Sequence, residues 1–235
     1  MVRVGVPAMY ARVVLIPAME SFLARHPDIK LSLVVCEGSP DPIAQKLDLW
    51  VQFGMPSTTN YITKVIYAPP IRLVAAPEYL AKHPKISTPE DLARHNCLHW
   101  HHPHSDSWYI YKLARKSPDS VSYLDRQVGN ARIIDNIDLL YDAARAGLGV
   151  MSADLGMIVD DLLSERLQIV LPEYWTSGNY ARSGKLSLFY DRRLIMTQRM
   201  EIVKDFLIES AGAMSERLKL IKDIVPAFDP FEIGD

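Results

Sequence analysis

Two cysteines in 235 residues are too few for a disulfide scaffold. Cys36 and Cys97 each stand inside an apolar run and read as buried, reduced thiols of a cytosolic protein. Long apolar runs are missing as well. None approaches the ~20 residues that cross a bilayer, so no membrane partner is expected. The first seventeen residues have no extended apolar core behind a basic stretch, so no secretory leader is read there. Charge of one sign is also lacking: the net charge is −2, without the basic footprint that a nucleic-acid wrapper needs. There is no fixed-period repeat and no low-complexity tract. A G-x-S-x-G elbow, a phosphate loop and an H-E-x-x-H pair are all missing, so neither an enzyme nor a bound cofactor is expected.

Apolar residues are plentiful, at 49% of the chain, which is enough for one large core or two small ones. The most informative stretch is Asn130 to Ser152, NARIIDNIDLLYDAARAGLGVMS. Arg132-Ile133-Ile134 reads as a short strand. Asp135 or Asn136 can cap the helix that follows. Leu139, Leu140, Ala143 and Ala144 fall on one helical face. Gly147 suits the left-handed residue that closes a helix, and Gly149-Val150-Met151 opens another strand. The two strands of such a unit are expected to be parallel. Ligands sit beyond the carboxyl ends of such strands, where helix N-termini present free N–H groups. An ordinary crossover helix without a ligand would carry the same pattern.

The chain opens with a strand at Val2–Val6. A helix with Leu15, Ala18, Met19, Phe22 and Leu23 on one face follows, and Pro17 is tolerable only in its first turn. Strands at Lys30–Val35 and Leu49–Phe53 flank a turn and a short helix ending at Lys46, with Asp41 as its cap. This βαβαβ order is the front half of a doubly wound α/β domain. Pro69-Pro70 splits two extended runs and marks a crossing between domains. Thr88 with Asp91 suggests a capped helix. Strands are expected at Cys97–Trp100, Trp108–Leu113, Val121–Val128, Leu167–Leu171 and Leu186–Tyr190. Helices are expected from about Asp154 to Leu163 and over Thr197–Ser210. Thr176–Lys185 reads as a second crossing. Two crossings mean two lobes around a cleft.

Several of these stretches, in this order, resemble the effector-binding domain of LysR-type transcriptional regulators. They are Val2–Pro7; Leu15-Ile16-Pro17 with Phe22–Pro27; Leu47–Gly54; Arg72–Leu80; Thr88–Leu92 with His95–Leu98; and Ala143–Val150. The resemblance implies two Rossmann-like lobes joined by two crossover strands, the type 2 periplasmic-binding-protein fold. Lobe I is expected at 1–69 plus 186–212, lobe II at 70–185, and a C-terminal extension at 213–235. Leu218, Leu220, Ile221, Ile224 and Val225 could form a helix on the body or belong to a solvated tail. Family members begin with a winged helix-turn-helix and a linker helix. This chain shows neither, and is expected to be a sensor domain standing alone or trimmed from a longer protein. Lys46 stands where the family usually has glycine, Trp50 where it has a small residue, and Gln52 where it often has arginine. Trp50 is expected to narrow or reshape the crevice.

The resemblance places effector contacts at Met9-Tyr10, Ser39, Gly54-Met55, Trp100-His101-His102 and Asn136. Tyr10, Trp100 and Met55 offer apolar walls, and Ser39 and Asn136 polar anchors. Helix N-termini near Ala11 and Asn136 favour an organic anion, with Arg12 able to add charge, while Asp135 and Asp138 oppose it. Five of the seven histidines lie between His95 and His104 around Cys97. Cys97, His99 and His101 would share a strand face, which opens a metal-sensing alternative. A polar cleft loop is the other reading of the same cluster. The resemblance further implies a cytoplasmic homodimer or homotetramer with antiparallel, side-by-side subunits. DNA would be reached only through a domain not present here. A solute-binding protein and a bilobal dehydratase-like enzyme are the readings from other classes.

Overall fold

The computed structural model describes residues 1–36, 40–54, 60–100, 107–112, 121–125, 132–134, 136–177 and 185–225. They form two compact units. Met1–Ala68 and Lys185–Glu216 make the first, and Pro69–Gly184 with the residues from Arg217 onward make the second.

The first unit opens with β1 (Val2–Val6), in which all but Arg3 are buried. One helical run follows: α1 (Ala8–Tyr10), a π-helical turn (Ala11–Leu15) and α2 (Ile16–Arg25). The helix therefore starts well before Pro17. A proline inside a helix lacks an N–H and presses on the carbonyl four residues back. The π turn, in which the Ile16 N–H reaches the Ala11 carbonyl, widens the helix just ahead of it. The expected apolar face is only partly used: Leu15 and Phe22 are buried, Ala18 and Met19 half-buried, and Leu23 37% exposed.

β2 (Leu31–Val35) runs parallel to β1. The Asp41 carboxylate then accepts the N–H groups of Ile43 and Ala44 at 3.1 and 3.0 Å. The residues it caps form turns instead of the expected short helix, and Lys46 closes them in the left-handed region at φ 53°. This gives the family's glycine a physical reason, since glycine takes that conformation without strain. β3 (Leu49–Phe53) and β4 (Tyr61–Tyr67) complete the unit's first pass.

The second unit contains β5 (Ile71–Ala75), α3 (Pro77–Lys82), a 3-10 turn (Pro89–Arg94), β6 (Cys97–Trp100), β7 (Ser107–Lys112), β8 (Val121–Asp125) and β9 (Arg132–Ile134). Next come α4 (Ile137–Arg145), β10 (Val150–Asp154), α5 (Val159–Leu163), β11 (Gln168–Val170) and β12 (Tyr174–Ser177). The helix expected from Asp154 begins later. Asp154 ends β10, and its carboxylate accepts the Gly156 N–H at 2.8 Å to start a 3-10 turn. Thr176 belongs to β12, which pairs with β7, so the segment expected as a crossing begins as a strand. The chain returns to the first unit through β13 (Leu186–Asp191) and α6 (Gln198–Leu218), which a 3-10 turn (Lys219–Ile221) extends. That helix runs well past the expected end near Ser210.

The first unit's sheet has the order β2-β1-β3-β13-β4, with β1, β2 and β3 parallel and β13 antiparallel to both neighbours. Phe22 of α2 stacks on Phe206 of α6 at 4.1 Å between ring centroids. The second unit's main sheet has the order β11-β5-β10-β6-β9. β9 and β10 are both parallel to β6, which lies between them, so the strands on either side of α4 run parallel as expected. β12, β7 and β8 make a separate antiparallel sheet. Leu73, Tyr79, Leu92, Cys97, Trp108, Ile110 and Val150 form the second unit's core.

Candidate functional site

In the first unit, the segments after β1 and β3 leave the sheet side by side, because both strands are parallel neighbours. Met9 and Tyr10 follow β1, and Gly54 follows β3. Tyr10 is fully buried and its hydroxyl donates to the Leu207 carbonyl at 3.2 Å, so this ring is core packing of the first unit. Burial also pushes its phenol far above the usual range. Met9 is buried too, at 4% exposure. Gly54 has φ 85°, and a Cβ added there would meet open space, so the backbone is accessible but conformationally reserved for glycine. Ser39 and Met55 lie outside the described residues. The first helix begins at Ala8 after Pro7, not near Ala11, and has no side-chain cap.

Trp50 packs tightly within the first unit. It is 2% exposed, stacks on Phe189 at 5.6 Å, meets Tyr61 edge-on at 4.7 Å and donates its indole N–H to Gln52 at 3.1 Å. The tryptophan and glutamine that depart from the family pattern are therefore partners on one face of β3.

In the second unit, Trp100 ends β6 in register with Ile134, the last residue of β9. Asn136 follows directly and caps α4, accepting the Leu139 N–H at 3.0 Å. Trp100 and Asn136 thus come together at the carboxyl ends of adjacent parallel strands. His101, His102 and Asp135 lie outside the described residues. The buried face of α4 is Leu140, Tyr141, Ala143 and Ala144, while Leu139 is 58% exposed, one step round from the expected stripe. Asp138 stands in the first turn and weakens the helix's pull on an anion.

Arg72 was not singled out by its sequence context, because the apolar run IRLVA hides it. It is fully buried on β5, in register with Ala153 near the carboxyl end of β10. It therefore lies at the same end of the sheet as Trp100 and Asn136. Burial lowers its pKa to about 10, which still leaves a full positive charge at neutral pH. Its Nη1 donates to the Ile71 carbonyl at 3.1 Å.

The metal reading fares poorly on the residues described. Cys97 is fully buried, and burial pushes its thiol up to about 12, which keeps it protonated and a poor ligand. His99 is 3% exposed and stacks on Trp108 at 4.4 Å. Among the described residues no group of three His, Cys, Asp or Glu could hold a metal ion.

A second cluster explains the motif around Gly147. Tyr79 accepts the Asn96 N–H at 2.8 Å and meets the His95 Nδ1 at 3.2 Å. The Asn96 side chain donates to the Leu148 carbonyl, and its own carbonyl accepts the Val150 N–H at 2.9 Å. Gly147 takes φ 72° against Tyr79, and a Cβ on Gly149 would stand 2.5 Å from the Asn96 oxygen. These glycines serve close packing of the turn that leads into β10.

The family model of the LysR substrate binding domain matches residues 1–212. The chain belongs to that family. It is 26% identical over 199 residues to the HTH-type transcriptional regulator CrgA of Neisseria meningitidis serogroup B, covering 84% of this chain and 62% of CrgA. It is 28% identical over 166 residues to the transcriptional activator AmpR of Pseudomonas aeruginosa, covering 71% of this chain and 53% of AmpR. It thus spans roughly half to two thirds of the length of these relatives. The regulatory domain of CrgA matches the fold with a TM-score of 0.75 at 23% identity, over 90% of this chain and 98% of that one. The full-length virulence activator AphB of Vibrio cholerae matches with 0.68 at 21% identity, over 88% and 67%. This LysR domain therefore has the type 2 periplasmic-binding-protein-like fold, and its relatives are transcriptional regulators. No described helix is long and apolar enough to cross a membrane.

Proposed function

We propose that this LysR domain is the sensor of a cytoplasmic transcriptional regulator and that its effector is a small organic anion, bound without turnover. The observation that carries the anion preference is the carboxyl end of the second unit's main sheet. Arg72, the N-terminus of α4 capped by Asn136, and Trp100 all stand at that end. A cation, free backbone donors and an aromatic wall are a common recipe for a carboxylate with an apolar body. Met9, Gly54, Ser39, Met55, His101 and His102 stand as further proposed contacts on the family resemblance alone. The lobes, 1–69 with 186–212 and 70–185, would shift about the two crossover strands when ligand favours one arrangement.

The regulator would act as an oligomer and reach DNA through a separate domain. Ile16 and Leu23 on α2 and Val35 on β2, an edge strand, are 59%, 37% and 62% exposed. Exposed apolar side chains of this size suit contact with a second copy.

The test is melting temperature against organic acids, aromatic acids and amines. Ligand at a hundred times its dissociation constant adds ~2.7 kcal/mol, a rise of roughly 5–10 °C for a chain of this size. A rise with acids that shrinks in Arg72→Lys and Asn136→Ala would support the reading. A rise confined to amines would overturn the anion preference, and conversion of the acid to a product would overturn binding without turnover.

A further inference from the structure

Two departures from the family pattern meet in space. Lys46, in the glycine's place, and Trp50, in the small residue's place, both line a pocket of about 280 Å³ in the first unit. The pocket lies at the amino end of β3, where Asp48 precedes the strand, whereas Gly54 follows its carboxyl end. Trp50 forms the floor with Tyr61 edge-on to it, and Ile43 and Leu194 add apolar walls. Ile43 is 76% exposed, so the rim keeps an apolar side chain in water. The charges there differ in how far they are engaged. Asp191 gives both oxygens to Arg193, at 2.8 and 3.0 Å. Asp48 accepts the Arg3 N–H at 2.8 Å, and the Arg3 Nε donates to the Gln45 carbonyl, next to Lys46 in the chain. No carboxylate among the described residues pairs with the Lys46 ammonium. Lys46 also sits at φ 53°, a shape that strains a lysine and not a glycine. Strain of this kind is found where a side chain has a use.

We propose that this pocket is a second ligand site and takes a small aromatic carboxylate. Its volume is at the small end for ligand pockets and suits a single ring. The ring packs against Tyr61, Ile43 and Leu194 over the Trp50 floor, and the carboxylate pairs with the Lys46 ammonium. A neutral ring would leave that ammonium unused, and a cationic one would be repelled by it. Every lining residue belongs to the first unit, and none is shared with the carboxyl-end site of the second unit. The proposal therefore goes beyond the sensing reading and does not depend on it.

The experiment uses the full 235-residue chain, with benzoate as the probe and benzyl alcohol and benzylamine as its neutral and cationic counterparts. Nitrogen–proton NMR spectra follow the Trp50 indole N–H and the Tyr61 amide as each probe is added. Benzoate is expected to move both signals, and its counterparts to bind about tenfold more weakly, as fits the loss of one charge-assisted contact. Ile43→Glu, a change at an exposed site, should weaken benzoate by a similar factor. Lys46→Gly should weaken it equally without lowering the melting temperature, because glycine relieves the strained turn, and Lys46→Arg should keep it. Signals that stay still, or that benzyl alcohol moves as readily as benzoate does, would overturn the site. So would a response that Arg72→Lys abolishes, since that would assign benzoate to the second unit. The sensing reading fails separately, when acid binding is indifferent to Arg72→Lys and Asn136→Ala.

Discussion

His95 shows how one residue can set the pH response of a whole unit. It is 1% exposed, and its Nδ1 meets a tyrosine hydroxyl that already accepts the Asn96 N–H. That hydroxyl's single proton is best given to a neutral imidazole. Burial lowers the His95 pKa first, and the nearby His83 and Arg94 lower it further, while Asp91 and the Pro84 carbonyl oppose them. A base whose folded pKa lies below its unfolded value of 6.5 binds fewer protons when folded. Its contribution to stability is therefore complete above about pH 6.5 and falls as pH drops below it. Melting temperature is expected to decline between pH 7 and 5, and His95→Gln should flatten that slope. A slope that survives the substitution would assign the effect elsewhere.

Two glycines offer a matched pair at the same scale. Gly149→Ala pushes a Cβ to 2.5 Å from a backbone oxygen that cannot give way, and should cost about 1–3 kcal/mol in urea unfolding. Gly212→Ala in α6 meets nothing within 4 Å and should stabilise by about 0.5–1 kcal/mol.

At the scale of elements, α4 and α5 are joined by a buried carboxylate. Asp161 is 2% exposed and receives Arg145 at 2.8 Å and Arg166 at 3.0 Å. Its hydrogen bonds, more than any other cause, hold the Arg145 pKa above its usual value. Removing Arg145 leaves the buried charge with one partner, the largely exposed Arg166, whereas removing the charge leaves arginines that are partly hydrated. Arg145→Met should therefore cost about 2–3 kcal/mol and Asp161→Asn about 1 kcal/mol, read from urea midpoints.

These elements also show what a sequence discloses. Alternating and continuous apolar runs placed β1, β3, β6 and β10 well, because burial selects strand residues directly. The cap on α4 was legible because a short side-chain oxygen before a helix has few other uses. Pro17 lies in the first turn of α2 as expected, but the helical turns before it went unread, since the π turn that joins them has no local signature. The 3-10 turn after Asp154 was hidden by residues that also suit an α-helix. Arg72's burial and Trp50's partners went unread for one reason: pattern tells which face a residue shares, not what stands opposite. Tyr10 fell to the same blindness, because its partner Leu207 is 197 positions away.

At the scale of the molecule, the exposed apolar side chains of α2 and β2 predict self-association. Ile16→Glu with Val35→Lys is expected to move the domain toward the monomer in sedimentation velocity while leaving its melting temperature within about 2 °C, as suits surface sites. A dimer that persists would place the interface elsewhere.

The two thiols add something of a different kind. Cys36 lies in the first unit and Cys97 in the second, 6% and 0% exposed. Neither can meet a thiol reagent in solution until the structure around it opens. Each unit thus carries its own chemical clock. Labelling rates at the two positions, followed in rising urea, would time the opening of one unit independently of the other. They would tell whether the molecule breathes as one body or as two.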